Sequence, residues 1–187
     1  MIPIRNKKKT LKVTVEEMRN FALAYVEKYA PSKQQLKTYL LKKYLKTSVP
    51  NVKKKDVNDL IDIVLSNLEK NRFINDKFYS DSKAKSMIQR GNSINKIRNY
   101  LIGKGINNEL IKDTVNKIQD ENSDQDFFSA IKICKKKRIG PARVEDNRPL
   151  FYKKDISLLA RNGFDFQTSK KIMDLEKEDY LKIIKLL

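Results

Sequence analysis

The sequence lacks several residue types on which familiar active sites depend. Its 187 residues include no histidine, no tryptophan, one cysteine (Cys134) and only five glycines. A Ser-His-Asp triad, a Cys-His pair, a zinc site of His and Cys ligands and an internal disulfide are therefore all excluded. The glycines are too scattered for a phosphate-binding loop or a dinucleotide-binding fingerprint. We predict a protein without catalytic residues, a bound metal or a cofactor.

Long apolar runs are also absent. No stretch approaches the roughly 20 consecutive apolar residues that a membrane-spanning helix requires, and the N-terminus has no apolar signal-peptide core. We expect a cytoplasmic protein that has no membrane partner. Hydrophobic residues make up 40% of the chain, which suffices for a folded core.

Positive charge, in contrast, is abundant. The chain has 41 Lys and Arg residues against 23 Asp and Glu, for a formal net charge of +18. One interpretation is a polyanionic partner such as nucleic acid. The other is a compositional bias that leaves lysines on solvated helix faces. The placement of the charges has to decide between the two, because their total cannot.

Helix patterns follow one another from about residue 14 to the C-terminus, and no alternating strand pattern is evident. The clearest pattern is an apolar stripe at helical spacing formed by Val57, Leu60, Ile61, Val64, Leu65 and Leu68. Asp56 is the predicted N-cap of that helix. Two earlier helices are predicted to start at capping boxes, Thr14 with Glu17 and Ser32 with Gln35.

The spacing of helix stops predicts an internal repeat. Gly105 and Gly163 lie where a left-handed residue ends a helix, whereas Tyr44 occupies that place in the first copy, so that helix is expected to continue. Each such helix (B) follows an amphipathic helix (A) and precedes another (C). Gly91 and Gly140 are the predicted stops of the second and third A helices.

The predicted fold is all-α, with three tandem three-helix repeats stacked into an elongated curved array and a possible extra C-terminal helix. Residues 1–13 form a basic, flexible N-terminus. Repeat 1 spans 14–74, repeat 2 spans 75–122, and repeat 3 with the C-terminal segment spans 123–187. Insertions fall at 46–55 in the first repeat and at 141–149 in the third.

Charge is sorted by repeat position. The B helices are rich in basic residues and poor in acids, while acids gather in the C helices, which favours a basic B-helix surface extended by the ends of the A helices. The candidate residues for binding nucleic acid or a protein filament are Lys42, Lys43, Arg90, Lys96, Arg98, Lys104, Lys135, Lys136, Lys137, Arg138, Lys153, Lys154 and Arg161. The recurring aromatic residues are interpreted as core packing rather than base stacking: Phe21, Tyr25, Phe78, Tyr79, Phe127 and Phe128.

Four segments resemble a known protein family. Arg72 to Phe78, then Gln89-Arg90-Gly91, then Ile97 to Ile106 are similar to the middle repeat of the bacterial RecX regulatory proteins, and Leu159 to Asp165 resembles their third repeat. The resemblance implies a non-enzymatic, all-helical protein that binds the RecA recombinase, chiefly as its filament on single-stranded DNA. It also implies restraint of strand exchange, ATP hydrolysis and coprotease activity. DNA contact is expected either directly or through RecA, and we expect a monomer.

Two other functions fit the sequence. Helix B2, Gly105 and helix C2 could form a duplex-DNA-binding helix-turn-helix, although Glu109 and Asp113 are unusual in a recognition helix. A scaffold or RNA-associated helical repeat protein, with lysines of no specific role, is the third interpretation.

Overall fold

The computed structural model describes residues 11–46 and 53–187 of the chain. Within these ranges all regular secondary structure is helical, which confirms the predicted all-α class. The α-helices are α1 (Val15–Tyr29), α2 (Lys33–Lys46), α3 (Lys54–Lys70), α4 (Asp76–Gln89), α5 (Ile94–Gly103), α6 (Asn108–Glu121), α7 (Gln125–Lys137), α8 (Arg148–Arg161), α9 (Phe166–Met173) and α10 (Lys177–Leu186). The last of these is the predicted additional helix.

The chain divides into two compact units, Met1–Tyr79 and Ser80–Leu187, with the boundary inside α4. In the first unit α1, α2 and α3 pack against one another in all three pairings. Their core contains fully buried Leu36, Leu40 and Ile61. These residues come from the apolar stripes of α2 and α3, so burial of the stripes holds this unit together.

In the second unit, α9 packs against both α7 and α8, and α10 packs against α7. The core contains buried Ile131, Leu159 and Ile172, with Tyr180 of α10 contributing its ring. Helices α5 and α6 also pack on each other. Cys134 is fully buried in this core, as predicted, and burial, followed by the charge of Asp155, raises the pKa of its thiol to about 12.

The helix starts were predicted well where a side chain caps the backbone. Thr14 accepts a hydrogen bond from the Glu17 N–H. Ser32 and Gln35 form a reciprocal capping box, with each side chain accepting the other residue's N–H at 3.1–3.2 Å. The prediction for Asp56 was wrong: α3 begins at Lys54, and Asp56 lies in its first turn. There its carboxylate still favours the helix N-terminus electrostatically.

One inter-helix hydrogen bond recurs in both units. The N–H of Lys33, at the start of α2, donates to Asp76 at the start of α4 at 2.8 Å. The N–H of Ile94, at the start of α5, donates in the same way to Asp126 at the start of α7 at 2.7 Å. Burial raises the pKa of both carboxyl groups, against the opposing effect of these N–H donors. The start of a B helix is thus joined to the start of the next A helix at two corresponding places.

The predicted helix stops are confirmed for the B helices. Gly105 and Gly163 have φ values of +72° and +88°, and α2, which has Tyr44 at that position, continues to Lys46. The prediction for the third A helix was wrong. Helix α7 ends on Arg138, which adopts the left-handed conformation itself, and Gly140 instead opens a short 3₁₀ turn, Gly140–Ala142.

Some predicted regions lie partly outside the described residues: 1–10 of the basic N-terminus and 47–52 of the first insertion. The 141–149 insertion contributes to two 3₁₀ turns, Gly140–Ala142 and Glu145–Asn147. The three repeat boundaries and the curved stacking of the repeats remain predictions. Within the described ranges, no helix is long and apolar enough to cross a membrane.

Candidate functional site

The sequence-predicted binding residues are almost all accessible. Ten of them are exposed: Lys42, Arg90, Arg98, Lys135, Lys136, Lys137, Arg138, Lys153, Lys154 and Arg161. The other three, Lys43, Lys96 and Lys104, are half-buried and lie against neighbouring groups. Lys42 and Lys43 belong to the first unit and the remainder to the second.

The start of α5 packs against the end of α8. Ser93 is buried and its hydroxyl donates to the carbonyl of Asn162 at 2.8 Å, while it accepts the N–H of Lys96 at 3.1 Å. The Lys96 ammonium donates to the side-chain oxygen of Asn162 at 3.0 Å. Lys96 therefore contacts the residue that immediately follows Arg161, a predicted binding residue on another B helix.

Gly163 makes the junction possible. A Cβ atom added there would lie 2.4 Å from the Ser93 hydroxyl oxygen and 3.2 Å from the Lys96 nitrogen, and the φ of +88° already disfavours any other residue. We expect Gly163→Ala to lower the free energy of unfolding by more than about 1 kcal/mol. Urea denaturation followed by circular dichroism measures this change.

Gly103→Ala is the matched control for that prediction. Gly103 is the last residue of α5, and a Cβ atom there would meet nothing within 4 Å. The same substitution should therefore leave stability unchanged or raise it by up to about 1 kcal/mol. Equal effects of the two substitutions would contradict the packing of α5 on α8.

A second cluster of positive charge lies at the end of α7. Lys135, Lys136 and Lys137 occupy its last turn and Arg138 follows as its left-handed cap. Cations at a helix C-terminus are stabilised by the partial negative charge of its free carbonyl groups. Four consecutive exposed cations are thereby placed on a well-defined helix end rather than on a loop.

Helix α2 has less unopposed charge than its sequence indicates. Lys33 and Lys37 form ion pairs of 2.6 Å with Glu69 and Asp62 of the packed helix α3. Lys43 lies over the Phe21 ring, 3.8 Å from its centroid. Lys42 is the exposed cation of this group. The acids of the C helix therefore neutralise part of the B-helix surface, which counting along a single helix does not detect.

Helix α8 shows the opposite effect. Its one acid, Asp155, is buried and accepts hydrogen bonds from Arg143 at 2.7 and 2.8 Å and from the Gly140 N–H at 2.9 Å. Burial opposes ionisation, but these donors outweigh it and lower the pKa of Asp155. Asp155 follows Lys153 and Lys154 in the sequence, but its negative charge is buried and paired with Arg143. The exposed surface around the two lysines is therefore more positive than the sequence indicates.

A groove of about 410 Å³ lies between α5 and α6. Residues from both helices line it: Arg98, Ile102, Asn108, Ile111, Lys112, Val115, Asn116 and Gln119. Arg98 and Lys112 are exposed, and Ile102 presents about half of its side chain to solvent. Sequence reasoning missed Lys112 because it lies on a C helix, where acidic residues dominate.

The aromatic interpretation was wrong at one position. Tyr79 is buried, and Phe21, Tyr25 and Phe127 pack on the two cores. Phe78, however, is 71% exposed. It is the third residue of α4, where the helix face that it occupies is turned away from the core.

Among the described residues, the side chains that commonly bind metal ions are not clustered. No group of three or more His, Cys, Asp or Glu side chains among them is arranged to hold a metal ion. The features that remain are surfaces: the α5–α8 junction, the end of α7 and the exposed part of α8.

No protein-family model matches the chain. It is 32% identical over 177 residues to "Regulatory protein RecX" of Myxococcus xanthus (strain DK1622), an alignment that covers 91% of each protein. It is 31% identical over 128 residues to "Regulatory protein RecX" of Lactococcus lactis subsp. cremoris (strain MG1363), covering 64% of the chain and 44% of that relative. A solved structure described as "Crystal structure of regulatory protein RecX" superposes with a TM-score of 0.59 at 19% identity, over 86% of this chain and 74% of that one.

Proposed function

Because this chain belongs to the RecX family of regulatory proteins, we propose that it binds the RecA recombinase and its filament on single-stranded DNA. Binding inhibits strand exchange, ATP hydrolysis and coprotease activity. The protein acts by occupying the filament, as a monomer, and catalyses no reaction of its own. Its place of action is the cytoplasm.

The observation that carries this proposal is the α5–α8 junction. Lys96 of α5 donates to the side chain of Asn162, the residue that follows Arg161 of α8, and the buried Ser93 donates to the Asn162 carbonyl. Arg98, two residues after Lys96 on α5, is exposed. Cations fixed on packed helices can contact a regularly spaced anionic track without a large loss of side-chain freedom. A nucleoprotein filament presents such a track.

Further cations extend the proposed surface within the second unit. These are Lys104, the run Lys135–Arg138 at the end of α7, Arg90 after α4, and Lys153 and Lys154 on α8. In the first unit Lys42 and Lys43 have the corresponding role. Such contacts bring affinity that depends on salt concentration and not on DNA sequence.

Adding the purified protein to RecA on single-stranded DNA tests the proposal. We expect ATP hydrolysis by RecA to fall as the ratio of protein to RecA rises, because occupied filament no longer turns over normally. RecA with the DNA but without the protein provides the reference rate. An unchanged rate at stoichiometric excess would contradict the proposed function.

The alternative function is that of a duplex-DNA-binding regulator, and the same purified protein can be used to test it. Helices α5 and α6 pack on each other across Gly105, as a helix-turn-helix requires. On α6, however, Glu109 and Asp113 are exposed, and both would face phosphates in a major groove. A footprint on one duplex sequence that survives moderate salt would favour this rival.

A further inference from the structure

Two phenylalanine rings are exposed where α3 is joined to α4, Phe73 in the turn and Phe78 in the first turn of α4. Phe78 is 71% exposed and Phe73 is 51% exposed. The neighbouring side chains Lys70, Arg72 and Lys77 are exposed as well. Exposed aromatic rings set among cations are the combination by which proteins hold unpaired nucleotides, with rings stacking on bases and cations contacting phosphates.

The exposure of Phe73 is unusual for its position. Helix α3 ends in a Schellman motif, in which the Phe73 N–H donates to the Leu68 carbonyl at 2.9 Å and Arg72 is the left-handed residue. Ile106 and Phe164 occupy the same position after α5 and α8, and both are buried against their helices. After α3 the following residue, Ile74, is buried instead. Phe73 is therefore not needed for the apolar contact that this motif normally makes.

Arg72 adopts a conformation that is costly for its residue type, as Arg138 does after α7. Its φ is +60°, a conformation in which most helix ends use glycine because a Cβ atom is unfavourable there. Gly105 and Gly163 fill the corresponding positions after α5 and α8. A long cationic side chain has thus been retained at a position where glycine would be the more stable choice.

The backbone that carries the rings is well ordered by hydrogen bonds. The Phe78 N–H donates to the Asn75 side chain at 3.0 Å, and Phe73 is held by the Schellman motif. The nearby carboxylates are engaged elsewhere: Glu69 pairs with Lys33, and Asp76 accepts the Lys33 N–H. Positive charge therefore dominates the exposed part of the turn.

We propose that Arg72, Phe73, Lys77 and Phe78 form a binding site for single-stranded nucleic acid, in which the two rings stack on unpaired bases. The site deepens the proposed function, because it gives the protein a direct contact with the DNA of the filament. It operates without RecA and is therefore testable in the absence of RecA. If the chain does not bind single-stranded nucleic acid at this site, inhibition of RecA through protein contacts is unaffected.

Binding to a labelled oligo(dT), followed by fluorescence anisotropy over a range of salt concentrations, is the test. We expect Phe78→Ala to weaken binding at least about fivefold. The slope of affinity against salt should not change, because stacking releases no counterions. Lys77→Ser should weaken binding and also reduce that slope. Phe166→Ala is the matched control, because Phe166 is 67% exposed but lies between Asp165 and Gln167.

Two further variants separate binding from folding. The chain has no tryptophan, so Phe78→Trp introduces a single tryptophan, which can be excited selectively over the eight tyrosines and whose emission oligo(dT) should quench. Arg72→Gly should raise the melting temperature while weakening oligo(dT) binding, a combination that a purely structural role would not give. The proposal is wrong if Phe78→Ala and Phe73→Ala bind oligo(dT) like the unmodified chain. It is also wrong if they lose only the inhibition of RecA, since the rings would then contact protein.

Discussion

A variant with Lys96→Glu, Arg98→Glu, Lys104→Glu and Arg161→Glu is expected to lose inhibition of RecA ATP hydrolysis completely. The substitutions change the net charge from +18 to +10 and reverse its sign around the α5–α8 junction. Each new carboxylate would face the anionic track that the original cation is proposed to contact, so attraction becomes repulsion. Circular dichroism should show unchanged helix content, since Arg98 and Arg161 are exposed and neither Lys96 nor Lys104 is fully buried.

The control variant must carry the same net charge with the junction intact. Lys53, Lys54, Lys55 and Lys85 are exposed and lie outside the predicted binding residues. Changing these four to Glu should retain most of the inhibition. Full inhibition by the junction variant would place the binding surface elsewhere. Equal loss in both variants would show that only the net charge matters.

The second large effect concerns the stability of the second unit. Arg143→Met is expected to lower its free energy of unfolding by about 3–5 kcal/mol, because it leaves the buried Asp155 carboxylate without its charged partner. Asp155→Asn in the same background should recover part of this loss, since a neutral amide can still accept the Gly140 N–H. Chemical denaturation of the unmodified protein and the two variants measures both steps.

The exposed pair Lys182–Asp179 provides a comparison. Lys182→Met should cost less than about 1 kcal/mol, because solvent screens the pair. If Arg143→Met also costs less than about 1 kcal/mol, the unpaired Asp155 carboxylate is not destabilised by its burial. The comparison separates a buried ion pair that anchors the 141–149 insertion from an ordinary surface pair.

The loss caused by Arg143→Met should also depend on pH. In the unmodified protein the pKa of Asp155 is lowered, because hydrogen bonds from Arg143 and Gly140 outweigh burial. Its contribution to stability is therefore present above the unfolded-state pKa of about 3.9 and is lost as pH falls through the folded-state value. Without Arg143 the carboxyl group can protonate more easily on acidification. The stability difference between the two proteins should then be largest near neutral pH and smaller in acid.

Local rules explain which parts of the fold could be predicted. The capping box at Ser32 and the left-handed glycines 105 and 163 depend on a few adjacent residues, so the sequence indicates them directly. The wrong predictions concern residues whose positions depend on contacts with distant parts of the chain, which a local pattern does not reveal. Arg138 rather than Gly140 is the left-handed cap of α7, and Gly140, two residues later, donates its N–H to Asp155 on α8.

The candidate site shows the same division. The sequence identifies Lys96, Arg98 and Arg161 as cations on B helices, but only the contact between the start of α5 and the end of α8 brings Lys96 to Asn162, the residue that follows Arg161. The neutralisation of Lys33 and Lys37 by α3, and the burial of Asp155, both depend on contacts between helices. The exposure of Phe78 likewise depends on which face of α4 is buried, and that face cannot be assigned from a helix with little apolar periodicity.

Titration of this protein into RecA turning over ATP on single-stranded DNA tests the central claim most directly. With the protein acting by occupancy, the rate should fall progressively as the protein approaches stoichiometry with RecA, and raising the salt concentration should restore turnover as the cationic contacts weaken. The same low rate should be reached whether the protein is added before or after the filament forms. ATP hydrolysis that continues unchanged at stoichiometric excess and low salt would contradict regulation of RecA by this chain.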